Sequence, residues 1–465
     1  MTWRMRMNGT KAVVISIVSV ICTACVISVM PLSAEQPGKK YAEALDLSVR
    51  FYDANRCGKD VARDNAFAWR GDCHTDDGKD VGLDLTGGFH DAGDHVKFGL
   101  TQGYTASVLA WSYYEFPESF RKSGSEARML STLRRFSDYF MKCAQKPGVF
   151  YYQVGDGGSD HTYWGSPEKQ PGPRQTMRFA DAKHPASDIL GETAAALAIN
   201  SMIFRGKDAA YADKCLKTAK DLYVMAKATR GMGDESPFYK SSSYLDDLSW
   251  GAVWLHIATK DKSYLNDVES FFAQAVSEKI NPFMSRATVS WDDVYVGVIL
   301  KMADITKEKK YIDAIGTNLD FWMNQIKKTP GGLRYFEQWG VLRYAASSSL
   351  IAILYSKYAD REKYVAYARS QIDYILGNNP QKMSYLIGFG SSYPKDPHHR
   401  ASVCARYTGG RSDKDCELLG ALVGGPDEDD YYEDNMDMYQ FSEVAIDYSA
   451  GLVGALAGLA GIPEK

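Results

Sequence analysis

Hydrophobic positions recur at helical spacing along most of the chain beyond residue 35. Apolar residues at intervals of three and four define twelve segments, whereas the strict alternation typical of β-strands is scarce. Neighbouring segments are joined by short links, which predicts helices packed in adjacent hairpin pairs. The predicted helices span 39–54, 101–116, 124–145, 187–205, 208–228, 245–259, 262–275, 291–306, 308–327, 338–359, 361–376 and 442–460.

Four long polar or Gly/Pro-rich stretches interrupt the helical pattern, at 55–100, 146–186, 329–337 and 377–441. Loops of this length inside a compact domain are usually functional or disordered. Here they contain most of the histidine, tryptophan and glycine-rich motifs, which favours functional loops. Paired helices with long loops therefore predict an all-α toroid with an open groove across its mouth.

The first residues have the features of a secretory signal. Basic residues precede an uncharged apolar run over 12–30, and the small residues Ser33 and Ala34 follow it. The run is nearly long enough to cross a bilayer, so an uncleaved anchor is the alternative. In both cases the body of the protein is exported. We therefore expect a signal peptide at 1–34 and a secreted, extracellular protein. Since no low-complexity linker follows, we expect one domain at 35–465.

Export makes the cysteines informative. An even number of them lies beyond the apolar run, and in an oxidising compartment this points to disulfides. The spacing of these cysteines fits no zinc-binding pattern. Local pairing predicts the bridges Cys57–Cys73 and Cys404–Cys416, which leaves Cys143 and Cys215 for each other.

Composition excludes some classes of partner. The formal net charge of -4 gives no electrostatic basis for binding nucleic acid or an anionic membrane. The aromatic content is 12%, with 30 Tyr and 9 Trp. Abundant tyrosine either packs in the core with its hydroxyl bonded or lines a groove for flat ligands such as sugar rings. Composition alone leaves both interpretations open.

The most informative motif is a pair of aspartates, Asp91 and Asp94, with glycines at 87, 88 and 93 around them. The glycines allow the backbone to bend and to approach a ligand closely. Two carboxylates this close cannot both ionise freely, so one of their pKa values rises. That is one way to obtain a base near neutral pH. The alternative is a solvated turn, or two ligands of a calcium loop.

A second acidic cluster near the C-terminus ends in Glu443, at the start of an apolar helix over 444–459. Taken alone, Glu443 is an acidic residue favoured by the helix dipole. Together with Asp91 and Asp94 it becomes a candidate general acid. Hydrolysis of a glycoside with inversion needs an acid for the leaving oxygen and a base for the attacking water, about 6.5–9.5 Å apart.

Three further clusters add aromatic and cationic side chains: Asp160 to Trp164, Trp339 to Tyr344, and His398-His399-Arg400. Each has an ordinary explanation, because neighbouring histidines are a weak metal signal and single tryptophans usually pack in the core. In a sugar-binding groove, imidazole and guanidinium groups would donate hydrogen bonds to hydroxyls or to a carboxylate.

Taken in order, these blocks resemble glycoside hydrolase family nine, the inverting endo-β-1,4-glucanases, from about Tyr41 to Leu459. The cysteine-bearing loop at 404–416 is similar to that of the secreted animal members. The matching motifs are Trp69-Arg70-Gly71-Asp72, Asp84 to Asp94, Gly191 to Ala196, Gln371 to Gly377, Pro397 to Arg400 and Gly420 to Pro426.

The resemblance implies an (α/α)6 barrel that hydrolyses internal β-1,4-glucosidic bonds in cellulose and related β-glucans by single-displacement inversion. It assigns Asp94 as the base, Asp91 as its helper and Glu443 as the acid. The implied partner is a β-1,4-glucan polysaccharide, with no nucleic acid and, after signal cleavage, no membrane; a monomer is expected. The implied glucose-binding residues are His161, Tyr239, Trp339, Arg343, Tyr344, His399, Arg400 and Tyr448.

No cofactor is required for this chemistry, but members of the family often bind a structural calcium. Oxygen ligands from two segments would suit that ion, and the alternative is that the aspartates cap helices. The implied calcium ligands are Ser242, Ser243, Asp246, Asp247 and Asp292.

The chain departs from the family pattern just before the acid, where Met436, Met438 and Ser442 replace an Arg, an Asp and an Asn. Losing groups that orient a site costs about 10–100-fold in comparable cases, unless Asp437 substitutes by a shift of one residue. Because Glu443 is retained, we favour an active enzyme.

Two smaller departures lie elsewhere in the blocks. Phe89-His90 stands where Trp-Tyr is usual, and Ala287 stands where some members have an additional aromatic residue. These changes motivate two alternatives to an endoglucanase: a carbohydrate-binding protein with weakened catalysis, and a hydrolase of another β-glycan with the same fold.

Overall fold

The computed structural model describes residues 38–233, 237–402 and 416–462, and helices dominate this part of the chain. The twelve predicted helices are confirmed, with boundaries that shift by up to four residues. The long helices are α1 (Lys39–Ala54), α2 (Gly99–Glu115), α3 (Glu126–Cys143), α4 (Ser187–Phe204), α5 (Ala209–Thr229), α6 (Leu245–Thr259), α7 (Ser263–Ser277), α8 (Tyr295–Thr306), α9 (Lys309–Asn324), α10 (Val341–Tyr355), α11 (Arg361–Ile375) and α12 (Ile446–Gly461).

The even-numbered helices form an inner ring. They are apolar or small on nearly every face and are buried on nearly every face, as such helices must be. Each contacts the next around the ring, and α12 closes the ring by packing on α2. The odd-numbered helices are amphipathic and pack outside them. In α3, for example, Met129, Leu133, Phe136 and Phe140 are buried at helical spacing. The architecture is the predicted (α/α)6 barrel.

The direction of the inner helices determines where the loops meet. Because each inner helix is followed by an outer one that returns, all six inner helices start at the same end of the barrel. A three-stranded antiparallel sheet lies in this loop region, formed by β1 (Lys97–Phe98), β2 (Phe150–Val154) and β3 (Thr176–Ala180) in that order. Its first strand begins three residues after Asp94. A separate two-stranded hairpin pairs β4 (Lys327–Lys328) with β5 (Arg334–Tyr335).

Glu443 lies outside a helix, so the predicted start of the last helix at 442 is wrong. A short helix over Tyr439–Ser442 ends before it, and α12 begins at Ile446. Tertiary backbone pairing overrides the helical pattern here. The carbonyl oxygen of Glu443 accepts a hydrogen bond from the amide of Gly424 at 2.8 Å, and Glu443 forms a parallel bridge with His398.

The predicted disulfide between Cys143 and Cys215 is wrong, because both thiols are free and buried. Burial raises the pKa of Cys215 on α5 to about 12, and a hydrogen bond with Ser137 of α3 opposes this shift. Six residues of helix, about 9 Å, separate Ser137 from Cys143. Cys215 therefore packs against a part of α3 that is distant from Cys143.

The predicted disulfide between Cys57 and Cys73 is also wrong, since both thiols are free. They form no covalent bond with each other and lie beside two histidines. Cys416 does take part in a disulfide. Its predicted partner, Cys404, lies outside the described residues.

Among the described residues, no helix combines the length and the apolar character needed to cross a membrane. All of the described residues belong to one compact unit. The signal at 1–34 lies outside them, and it stays a prediction together with the domain boundary at 35.

Candidate active site

An open groove crosses the end of the barrel at which the inner helices start. Its volume is about 830 Å³, within the range of roughly 300–1,000 Å³ that ligand sites usually occupy. Its walls come from the segments that lead into α2, α6, α8, α10 and α12. The predicted site residues that line it are Asp91, Asp94, His161, Tyr239, Trp339, Arg343, Tyr344, Arg400, Glu443 and Tyr448.

Close backbone contact fixes the loop that carries the two aspartates. A Cβ atom at Gly93 would lie 2.1 Å from the carbonyl oxygen of His398, so the loop can approach that segment only with glycine there. The carbonyl oxygen of Asp91 accepts a hydrogen bond from the amide of Ile446 at 2.9 Å. These contacts join the loop to the segment that contains Glu443.

Asp91 is the deeper of the two carboxylates, with 1% of its surface exposed. The hydroxyls of Thr101 and Tyr239 donate hydrogen bonds to its two oxygens. Burial raises the pKa of Asp91 well above its usual value, and the charges of Asp94 and Asp447 raise it further against these two donors. Asp91 is therefore suited to carry a proton and to orient its neighbour.

Asp94 faces the groove, and its Oδ2 lies 3.0 Å from Nε2 of His161. The ring of Phe238 packs against the His161 ring with centroids 4.6 Å apart, which limits how the imidazole can turn. Of the two aspartates, Asp94 is the one placed to accept a proton from a water molecule in the groove.

Glu443 reaches the same groove from the other end of the sequence. Its Oε2 accepts hydrogen bonds from the indole N–H of Trp339 and, at 3.1 Å, from the hydroxyl of Tyr448. Burial raises the pKa of Glu443, as do the charges of Asp94 and Asp447, while the two donors oppose the shift. A carboxyl group that holds its proton at higher pH is suited to general acid catalysis.

Two guanidinium groups add hydrogen-bond donors to the walls. Arg343 forms an ion pair with Asp447 at 3.1 Å, and its Nη2 donates to the hydroxyl of Tyr344 at 2.8 Å. Arg400 lies over the ring of Trp164, 4.6 Å from the ring centroid. Both groups are placed to bind sugar hydroxyls.

His398, and not the predicted His399, lines the groove. His399 is 2% exposed, and its Nε2 lies 3.1 Å from Oδ1 of Asn55, behind the groove wall. The two neighbouring histidine side chains therefore lie on different sides of the groove wall. Asn55 in turn donates to the carbonyl oxygen of Ala92 at 3.2 Å, so His399 supports the loop between Asp91 and Asp94.

Several residues in the groove or beside it were missed from the sequence. Asp447 is one of them, an acidic residue four positions after Glu443. Phe238 directly precedes Tyr239, whereas nothing in the sequence distinguishes Thr101 from other helical threonines. The other aromatic residues missed on the walls are Phe98, Trp291, Phe336 and Tyr439.

The family model described as Glycosyl hydrolase family 9 matches residues 41–456. The chain belongs to this family. It is 41% identical over 445 residues to endoglucanase A of Bacillus pumilus, covering 91% of this chain and 66% of that protein. The cellulase Cel9M of C. cellulolyticum in complex with cellobiose has a TM-score of 0.87 and 49% identity, covering 90% of this chain and 98% of its own. An endoglucanase of the termite Nasutitermes takasagoensis has a TM-score of 0.85 and 37% identity, and the match covers 90% of this chain and 98% of that protein.

Next to the loop that carries Asp91 and Asp94, this family 9 chain brings together two thiols and two imidazoles: Cys57, Cys73, His74 and His90. Their ligand atoms all lie within 4.8 Å of one another. Nδ1 of His74 is 3.6 Å from Sγ of Cys57 and 3.1 Å from Nε2 of His90. Two sulfur and two nitrogen ligands at such distances fit tetrahedral zinc. The spacing of the cysteines alone did not predict this cluster, because half of its members are histidines.

An oxygen atom of Gln170 supports the same cluster from outside. It lies 2.8 Å from Nε2 of His74. If Nε2 donates this hydrogen bond, Nδ1 presents its lone pair to the other three ligands. Histidines that bind metals commonly have such a partner on the second ring nitrogen.

The predicted calcium ligands lie in two adjoining segments. Asp246 and Asp247 are buried in the first turn of α6, and the amide of Ser242 donates to Oδ1 of Asp292 at 2.6 Å. Oδ1 of Asp246 is buried without a hydrogen-bond partner, and burial, followed by the charge of Asp293, raises its pKa to about 8. Buried carboxylates with an unpaired oxygen fit a hard cation.

Proposed function

We propose that this family 9 chain is an endo-acting β-1,4-glucanase that cleaves cellulose and related β-glucans with inversion. The observation that carries the proposal is the meeting of Asp94 and Glu443, from opposite ends of the sequence, on the walls of one open groove. An open groove can bind an internal segment of a polymer. The names of the relatives, two endoglucanases and a cellulase bound to cellobiose, support the same substrate class.

In this mechanism the aspartate loop activates water and Glu443 releases the leaving group. Asp94 accepts a proton from a water molecule, and the oxygen of that water attacks the anomeric carbon. Glu443 gives its proton to the glycosidic oxygen as the bond from that oxygen to the anomeric carbon breaks. Attack from the face opposite the leaving group inverts the configuration.

The stereochemistry of the first product tests this mechanism. Because the substrate bonds are β, the new reducing ends are expected to be α when they form and to reach the anomeric equilibrium only later. Proton NMR during rapid hydrolysis of cellopentaose measures this directly, with substrate alone as the control for mutarotation. New ends that are initially β would mean a covalent intermediate and would contradict the proposal.

Glu443 lies in a hydrogen-bonded environment despite the replacements before it, which supports catalysis over binding alone. Glu443 keeps two hydrogen-bond donors on its carboxylate. Met436 is buried, and its carbonyl oxygen accepts a hydrogen bond from Nδ1 of His398 at 2.7 Å. Asp437 is exposed, so it does not substitute for the missing partner. Binding of cello-oligosaccharides without any turnover is the result that would favour the alternative.

We also propose that the chain is secreted and acts as a monomer on soluble or accessible β-glucan. The apolar run at 12–30, with its preceding basic residues, supports export. The disulfide at Cys416 is typical of an oxidising compartment.

Two structural metals are part of the proposal. Zinc bound by the cluster of Cys57, Cys73, His74 and His90 would brace the catalytic loop from outside the groove, and calcium bound through Asp246 and its neighbours would neutralise buried carboxylates. Neither ion takes part in bond cleavage. The residues of the groove supply the acid and the base themselves.

Metal analysis of purified protein is expected to find about one zinc and one calcium per chain. Cys57→Ser should remove the zinc and keep the calcium, while Asp246→Asn should do the reverse, so each variant is the control for the other. Each loss should lower the melting temperature by about 5 °C. Wild-type protein grown with both metals and isolated without zinc would exclude the zinc site, and the same result for calcium would exclude the other.

A further inference from the structure

Asp447 is a buried carboxylate beside the groove. It acts as neither the acid nor the base in the proposed mechanism. It lies in the first turn of α12 and is 2% exposed. Its Oδ2 accepts a hydrogen bond from Nη1 of Arg343 at 3.1 Å, while its Oδ1 is buried without a partner. Burial raises the pKa of Asp447, while Arg343 and the backbone amides of Asp447 and Tyr448 oppose the shift. Burying a charge is costly even so, and its position calls for a physical reason.

The partner of Asp447 is held immediately next to the acid. The guanidinium of Arg343 lies 4.6 Å from the centroid of the Tyr344 ring and 5.0 Å from that of Tyr448. The hydroxyl of Tyr448 donates to Glu443 at 3.1 Å. A single aromatic ring therefore connects the guanidinium to the carboxyl group that must hold a proton.

An unpaired cation at this place would work against the acid. Positive charge stabilises the carboxylate form of a neighbouring carboxyl group, and a deprotonated Glu443 cannot protonate the leaving oxygen. Yet the groove needs the donors of Arg343 to bind sugar hydroxyls. A buried anion beside the guanidinium resolves this conflict.

We propose that Asp447 is a positioning residue that cancels the charge of Arg343, so that Arg343 can line the groove while Glu443 keeps its proton. The inference rests on the proposed role of Glu443 as the acid. Consistent with it, Asp447 is among the charges that raise the pKa of Glu443, after burial.

Other charged and polar groups also face Glu443. Asp94 acts on it from the aspartate loop, with Asp91 behind. The charge of Glu443 helps to raise the pKa of Tyr239, on the segment before α6, after the larger effect of burial. The charge of Asp94 favours the protonated acid, as that of Asp447 does.

The remaining groups come from the opposite wall. His398 forms a backbone bridge with Glu443, and burial lowers the pKa of its imidazole, which favours the neutral form. His161 and Arg400 also line the groove. Arg400 lies over the Trp164 ring. Arg343 is the guanidinium that pairs with Asp447 and packs on the ring of Tyr448, which contacts the acid.

Asp447→Asn is expected to move the alkaline limb of the kcat/KM profile to lower pH by about one unit. A general acid must be protonated, so activity falls as pH rises through its pKa. Removing the anion leaves Arg343 uncompensated, and this lowers the pKa of Glu443. The profile is measured on a soluble cello-oligosaccharide, with Asp447→Glu as the matched control that keeps the charge and the position of the limb.

Two further variants separate charge from packing. The double variant Asp447→Asn with Arg343→Gln removes both charges and should return the limb towards its wild-type position, although KM rises because a groove donor is lost. Arg343→Gln alone should move the limb to higher pH, which keeps the test decisive if Asp447→Asn does not fold. A lower kcat at every pH with an unmoved limb in these variants would show a packing role only and overturn the inference.

Glu443→Gln in the same assay distinguishes the two levels of the account. If that variant is inactive and the limb of Asp447→Asn is unmoved, the inference about Asp447 fails and the proposed function stands. If Glu443→Gln is active, the assignment of the acid itself fails.

Discussion

Glu443→Gln is expected to lower kcat on cello-oligosaccharides by about 10³-fold, within the range of general acid catalysis. The amide has the shape of the carboxyl group and can still accept hydrogen bonds from Trp339 and Tyr448, so the Kd for the oligosaccharide should hardly change. It cannot supply a proton to the leaving oxygen. Steady-state hydrolysis measures the first quantity, and calorimetric titration of the variant measures the second.

A change of leaving group makes this test specific for an acid. On an aryl cellobioside whose nitrophenolate leaves without protonation, Glu443→Gln should lose far less activity than on cellopentaose. Glu428→Gln is the matched control, because Glu428 is exposed and pairs with Lys327 at the surface; its rates should equal those of the wild type. Equal losses on both substrates in Glu443→Gln would contradict the role of Glu443 as the acid.

Asp94→Asn is expected to lower kcat by about 10³-fold on both kinds of substrate, because water must be activated whatever group leaves. The amide cannot accept the proton of the attacking water. It can still accept a hydrogen bond from His161, so the groove should keep its shape. Parallel assays on cellopentaose and the aryl cellobioside, together with a melting curve, check this prediction.

Asp91→Asn provides the matched comparison in the same loop. The pKa of Asp91 is raised, chiefly by burial, so its protonated form already resembles an amide in charge. A smaller loss than in Asp94→Asn is therefore expected. If Asp91→Asn cost more activity than Asp94→Asn, the roles of base and helper would have to be exchanged.

The helices were predictable because their burial follows directly from residue pattern. In α3 the buried positions follow helical spacing, and in α12 small and apolar residues on every face require an inner position. What the pattern did not reveal was where tertiary backbone pairing replaces a helix. Glu443 is the clearest case, since its bridge with His398 holds it in extended conformation within an otherwise helical sequence.

The site was predictable where a motif itself contains the carboxylates that line the groove, as with Asp91, Asp94 and Glu443. It was not predictable where function depends on which way a side chain turns. His398 and His399 are adjacent, and only the folded structure shows that His398 is the one that faces the groove. Likewise, Cys57 and Cys73 meet two histidines through the folding of a long loop, which the spacing of the cysteines does not show.

The most direct test of the central claim is the loss of viscosity of carboxymethylcellulose, followed together with the release of reducing ends. An endo-acting enzyme with Glu443 as its acid should reduce viscosity rapidly while few new ends appear, and Glu443→Gln should do neither. A slow fall in viscosity that merely parallels the release of ends, or full activity in the Glu443→Gln variant, would contradict the account.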